Sequence, residues 1–244
     1  MNSYHHESNQ KRMILFRSYK ISKRIPFFII CVTISLLCAC SNNRIVQPLN
    51  KNQWQASASI GGPMVSQSDK YNPVPLTSIS AAYGYTRSTT LYTGYHPTTA
   101  YYGIDHLDLG YAQELIRPRL RTPGLSYALT LNTFRHRSEG DFKFYPQLDV
   151  NIYWLLAFRK DYTYIGISNW VELARKKAHD EPVSTHWIPA MHAGYTLQAN
   201  RWSYNLELKY LAPLTNNQDL LVNYYSPTNK GALSLYFSIS RKFK

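Results

Sequence analysis

Cysteine is scarce in this chain. Its 244 residues hold three, Cys31, Cys38 and Cys40. All lie in the first 40 positions, so nothing downstream can build a disulfide framework or a cysteine-ligated zinc site. Long hydrophobic runs are equally scarce. The one that stands out, Ile25 to Ala39, is about 15 residues, short of the roughly 18 to 20 that a membrane-spanning helix needs. Acidic residues are few, 14 Asp+Glu against 27 Lys+Arg, for a formal charge of +13. From Trp54 onward there is no stretch of helical period. No phosphate-binding glycine loop, zinc pattern or cofactor box occurs, so no cofactor and no metal is expected.

What is present begins with Lys20, Lys23 and Arg24 ahead of that apolar run, a basic segment followed by a hydrophobic one. The stretch before Met13, with His5 and His6, has no apolar content, and Met13 rather than Met1 is a candidate start. The run closes on Leu36-Leu37-Cys38-Ala39-Cys40. This resembles the bacterial lipobox, with an aliphatic residue at minus three, small residues before the cut and an obligatory cysteine whose sulfur takes the lipid. The resemblance implies residues 1–39 as a lipoprotein signal helix, cleavage between Ala39 and Cys40, and acyl lipid of the palmitate kind on Cys40. Loss of residues 1–39 removes six of the Lys+Arg and one of the Asp+Glu, leaving a charge of about +8. The remaining cations are scattered, with small groups at Arg117, Arg119, Arg121 and at Arg175, Lys176, Lys177. In an exported chain, membrane-lipid and lipopolysaccharide headgroups are the expected partners, not nucleic acid.

Residues 40–53 are polar and without period, which reads as a lipidated tether. Residues 54–244 are rich in Tyr, Thr, Ser, Val and Ile, with repeated alternation. Leu206, Leu208 and Tyr210 share one parity, Glu207 and Lys209 the other. Leu148, Val150, Ile152 and Trp154 stand against Asp149, Asn151 and Tyr153. Leu125, Tyr127, Leu129 and Leu131 stand against Ser126, Ala128, Thr130 and Asn132. Leu233, Leu235, Phe237 and Ile239 do the same near the C-terminus. Weaker candidates are Trp54–Gly61, Thr77–Tyr85, Thr90–Thr98, Ile104–Leu115, Thr163–Ala174 and His186–Gln198, ten strands in all, eight being the alternative count. Asn169 interrupts its apolar face and suggests a bulge, and Pro189 requires a strand end.

Apart from the second pair, the connections alternate long and short, with both termini on the short-turn side. The pattern resembles the small transmembrane β-barrels of Gram-negative outer membranes, and with the lipobox it is similar to outer-membrane lipoproteins of the Bacteroidota-type envelope. The resemblance implies an all-β, antiparallel up-and-down barrel. Lipid would face its apolar parity, and aromatic residues such as Trp202, Tyr83, Tyr85, Trp187 and Tyr195 would sit at the headgroup level. A polar cluster of His106, Asp108, Asp149, Asn151, His192, Glu207 and Lys209 would fill the lumen.

The functional expectation is a lipid-anchored barrel with a structural or interaction role in the cell envelope. Its lipid would sit in the periplasmic leaflet, since no Asp follows the cysteine at plus two. Partner proteins would meet the outer loops, above all Pro213–Lys230, or Tyr101-Tyr102 and Tyr224-Tyr225. One alternative is a lipid-modifying hydrolase. His136-Arg137-Ser138 resembles the His-x-Ser of outer-membrane lipases and lipid A deacylases, where histidine activates serine for attack on an ester, but lacks the asparagine that follows in lipases. The other is a soluble lipid-anchored β-sandwich, which would also alternate. Catalytic residues are not expected.

Overall fold

A computed structural model describes residues 45–244 except 68–69, 120–121, 139, 141, 157–159, 174–185 and 217–223. Cys40 and Ala39 lie outside the described residues. The strands are β1 (Trp54–Gln67), β2 (Lys70–Pro73), β3 (Leu76–Gly84), β4 (Thr89–Tyr95), β5 (Ile104–Ile116), β6 (Gly124–His136), β7 (Phe142–Leu155), β8 (Tyr162–Val171), β9 (Trp187–Ala199), β10 (Trp202–Asn216) and β11 (Lys230–Phe243), with one short helix, α1 (Pro97–Tyr101). Pairing is antiparallel throughout: β1 pairs with both β2 and β3, each strand from β3 to β10 pairs with the next, and β11 pairs back onto β1 from Trp54↔Phe243 to Pro63↔Ser234. The wall therefore closes on itself. Since β2 pairs only with Met64–Gln67 of β1, past the residues that pair with β3 and β11, it lies beyond the closed wall, and the barrel has ten strands.

The parity read from the sequence is the parity of the wall. Leu107, Leu109, Leu129, Leu131, Ile165, Ile167, Leu206 and Leu208 are 40–67 % exposed on the outside. Asp108, Asn132, Asn151, Ser168, Glu207 and Lys209, on the other parity, are 0–2 % exposed inside. Water would not tolerate so continuous an apolar exterior on a monomer, whereas a hydrocarbon belt requires it. Trp54, Tyr85, Tyr195, Trp202 and Phe243 stay exposed near the end that carries both strand termini; Phe142, Phe144 and Trp187 do so near the other. These are the two aromatic girdles of a membrane barrel.

Three local expectations are corrected. The first outer connection is not a long loop. β1 continues to Gln67 and zips with β2 from Met64↔Pro73 to Gln67↔Lys70, so a hairpin projects from the wall. The strand expected over Thr90–Thr98 stops at Tyr95, because Pro97 has no N–H to give a ladder and its fixed φ suits the first turn of a helix, here α1. No bulge forms at Asn169: register runs evenly from Gln147↔Trp170 to Leu155↔Tyr162. Its outward amide is satisfied by the Trp187 indole, whose Nε1 donates to Oδ1 at 3.0 Å. The register shifts fall instead between Glu114 and Ile116 and between Leu211 and Asn216. Pro189 is the third residue of β9, as a strand end demands.

Candidate functional site

The lumen is where this fold concentrates polar chemistry, and it is layered. At the outer end an aromatic ladder crosses it. The His96 ring stacks on His106 (3.6 Å, 7°), His106 on Phe134 (3.9 Å), Phe134 meets Tyr145 edge-on (5.3 Å), and Tyr145 tilts against Trp170 (6.1 Å). Below it lies a hydrogen-bonded layer. His106 Nε2 is 3.3 Å from Asn132 Oδ1, and Asn132 Nδ2 donates to the Tyr145 carbonyl (3.2 Å) and to Gln147 Oε1 (3.1 Å). Gln147 Nε2 donates to both Asp149 oxygens (2.9 and 2.8 Å), and Ser168 Oγ also donates to Asp149.

Of the seven residues expected to share the lumen, all are buried inside it, but they divide into groups. His106, Asp108 and Asp149 belong to the outer assembly. Asn151 and His192 pair with each other, Oδ1 to Nε2 at 2.7 Å, beside Gly166. A Cβ on Gly166 would lie 2.5 Å from the Val150 carbonyl and 2.7 Å from Asn151 Oδ1, so only glycine admits that pair. Glu207 accepts a hydrogen bond from Tyr164 Oη at 2.8 Å. Lys209 lies across the ladder from His192, two residues along the same face from Glu207.

The sequence reading missed two features. His96 joins the outer assembly through Asp108, Nε2 to Oδ2 at 3.0 Å. Its signal was the even parity that it shares with Thr90, Tyr92 and Gly94. The second is the middle of the segment read as a tether. Ile45, Val46 and Leu49 are 3–5 % exposed because they enter the lumen from the end that carries the strand termini. Ile45 and Leu49 pack with Ala82, Tyr92, Ala112 and Ala128, and Val46 with Tyr153, Tyr162 and Tyr164. The Leu49 N–H donates to Thr90 Oγ1 (2.8 Å) and Ser126 Oγ to the Val46 carbonyl (2.6 Å). Pro48 and the polar composition hide such a plug, since it has neither strand nor helix period.

The other candidates sit at the rims. Ser138 Oγ and His136 Nδ1 are 2.8 Å apart in the exposed turn after β6, a contact between residues two apart that turns commonly make. Beside it, Arg137 donates Nε and Nη2 to Asp105 (3.1 and 2.6 Å), and the hydrogen bond to that carboxylate raises the guanidinium above its ordinary range. Tyr101 is 85 % exposed. Tyr224 is instead buried, bridged to Val65, and Tyr225 packs on Tyr71 at 4.5 Å, so that end of the last outer loop braces the β1–β2 hairpin. At the opposite mouth, Gln47, Lys51, Arg87, Glu114 and Arg117 line an open cavity of about 440 Å³. Arg117 Nε is 2.9 Å from Glu114 Oε2 there. Arg121 and Arg175 to Lys177 lie outside the described residues.

A closed sheet with an apolar, girdled exterior and a polar interior defines a transmembrane β-barrel of the outer-membrane class, here with its lumen occupied by its own chain. No family model and no curated protein matches the chain. Among solved structures it is similar to the translocator domain of the autotransporter NalP from Neisseria meningitidis, at 9 % identity and TM-score 0.42 over 90 % of this chain and 98 % of that one. It is also similar to the outer membrane protein OprG from Pseudomonas aeruginosa, at 8 % identity and TM-score 0.30 over 81 % and 99 %. A third is Ail, the attachment invasion locus protein of Yersinia pestis, at 8 % identity and TM-score 0.27 over 79 % and 99 %. At such scores the assignment rests on the barrel's own surface and closure.

Proposed function

We propose that the protein is an outer-membrane lipoprotein whose barrel serves a structural or interaction role in the envelope rather than conducting solutes. The observation that carries this reading is the filled lumen. Trp170, Tyr153, Tyr164, Glu207 and Lys209 are at most 1 % exposed, and Ile45–Leu49 closes the remaining end. Ten strands leave an interior that side chains can fill, and here a chain segment fills it as well. The lipid fits the same picture. Four residues separate Cys40 from Ile45, five steps of at most about 18 Å of extended chain in all, so an acyl group on Cys40 would lie in the leaflet next to the plugged mouth. It would be a second attachment beside a spanning domain. Envelope partners would meet the opposite rim, where Tyr101 and Tyr102 project.

The test is reconstitution of the full chain, wild type and Cys40→Ala, from envelope fractions into planar bilayers. Both proteins should resist carbonate extraction, migrate differently on gels before and after heating, and give no large stable conductance. Large conductances would overturn the non-conducting role. Release of Cys40→Ala by carbonate would overturn the spanning barrel as the main anchor.

A further inference from the structure

We propose that His96, His106 and Asp108 form a binding site for one divalent transition-metal cation of the zinc(II) class at the outer end of the lumen. The three come together through strand register. Tyr95 pairs with Leu107, and the next step of the ladder, His96 N–H to the His106 carbonyl at 3.2 Å, sets the two imidazoles face to face at 3.6 Å. Asp108, two residues along β5, shares their face. All three side chains are buried, and one donor atom from each lies within 4.8 Å of the others.

In a tetrahedral site, metal–ligand bonds of about 2.0–2.2 Å place neighbouring donors about 3.3–3.6 Å apart. His96 Nε2 and Asp108 Oδ2 stand at 3.0 Å and would open slightly, while the His106 ring, now parallel to His96, would tilt out of the stack to turn its in-plane lone pair onto the same ion. The donor chemistry selects the ion, because two imidazoles with one carboxylate suit zinc, copper, nickel or ferrous iron better than calcium or magnesium.

The surroundings orient the ligands as an outer shell does. Asn132 is fixed by donating Nδ2 to the Tyr145 carbonyl and Gln147, so its Oδ1 faces His106 Nε2 as an acceptor. That assignment, made from the network, puts the His106 proton on Nε2 and presents Nδ1 as the metal-binding nitrogen. Phe134 packs on the second face of His106 at 3.9 Å and shields that side of the site from water. A carboxylate buried among aromatic rings is also more stable beside a cation than without one. The ion would tie the end of β4, and the loop carrying α1, to the wall.

The site is independent of the lipid and of the conductance of the barrel. Its test uses the full chain folded in detergent micelles, with folding checked by heat-modifiable migration. After chelation, Zn²⁺ is titrated by calorimetry and Co²⁺ by its visible absorption. We expect one Zn²⁺ per chain that persists in a His5→Ala/His6→Ala variant, is lost in His96→Ala, and is weakened at least about tenfold in Asp108→Asn. If His96→Ala does not fold, the near-isosteric Asp108→Asn decides. Equal stoichiometry and affinity in wild type and Asp108→Asn, or no binding to the wild type at micromolar Zn²⁺, would overturn the site and leave a His–Asp hydrogen bond.

Discussion

The two halves of the lumen are filled by different means. In the outer half the wall fills itself: Phe134, Tyr145 and Trp170 reach across the bore and lock with Ala190 and Leu211. In the half next to the termini, small inward residues on one side, Ala82, Ala112, Ala128 and Ser126, stand across from Tyr153, Tyr162 and Tyr164 on the other, and the space left between them holds Ile45, Val46 and Leu49. A barrel of this width needs its interior packed at every level, since an empty layer forfeits dispersion contacts on all its lining atoms. Large wall side chains do this once and for all with the fold. A separate segment is held by apolar contacts and by hydrogen bonds to the side chains of Thr90 and Ser126, not by a rung of a wall ladder.

That difference predicts unequal consequences. The largest should come from Trp170→Ala, which removes a side chain 1 % exposed at the end of the aromatic ladder and should cost about 3–5 kcal/mol. Denaturant unfolding in micelles, followed by tryptophan fluorescence, reads that loss as one of the whole barrel. Next is Leu49→Ala, worth about 2 kcal/mol or more. Its effect should be local: roughly thirtyfold faster hydrogen exchange at the plug amides, with the wall's unfolding midpoint little changed. If Leu49→Ala moved that midpoint as far as Trp170→Ala, plug and wall would be one cooperative unit and the contrast between the halves would collapse. The smallest effect belongs to Ser126→Ala. It removes the buried bond to the Val46 carbonyl and should loosen the plug by about 1 kcal/mol, a few-fold in the same exchange measurement. A global destabilisation by Ser126→Ala would mean that Ser126 serves the wall and not the plug.

Much of the wall was legible because lipid outside and polar filling inside impose a period of two on every strand. Leu206 and Leu208 against Glu207 and Lys209 is that constraint written in residues, and the seven expected lumen residues do face inward. Their grouping was not legible. His192 was set beside His106 and Asp108 by parity alone, yet register across five strands places it with Asn151, while His96 takes the position beside Asp108. Asn169 illustrates the opposite limit. A polar residue on the lipid face reads as a defect until Trp187, on the neighbouring strand, supplies its partner.

By itself, the sequence determined the all-β class, the sidedness of the strongly alternating wall strands and the short apolar segment that runs up to Cys40, because each is written in local period, composition or a contiguous motif, while it left ten and eight strands both open. Only the tertiary structure decided that residues 45–49 enter the lumen, that β1 and β2 project as a hairpin, and that two histidines and an aspartate converge at the outer rim. Those outcomes depend on which strands stand side by side and how much space closure leaves between them. Both are properties of the closed sheet and not of any one segment.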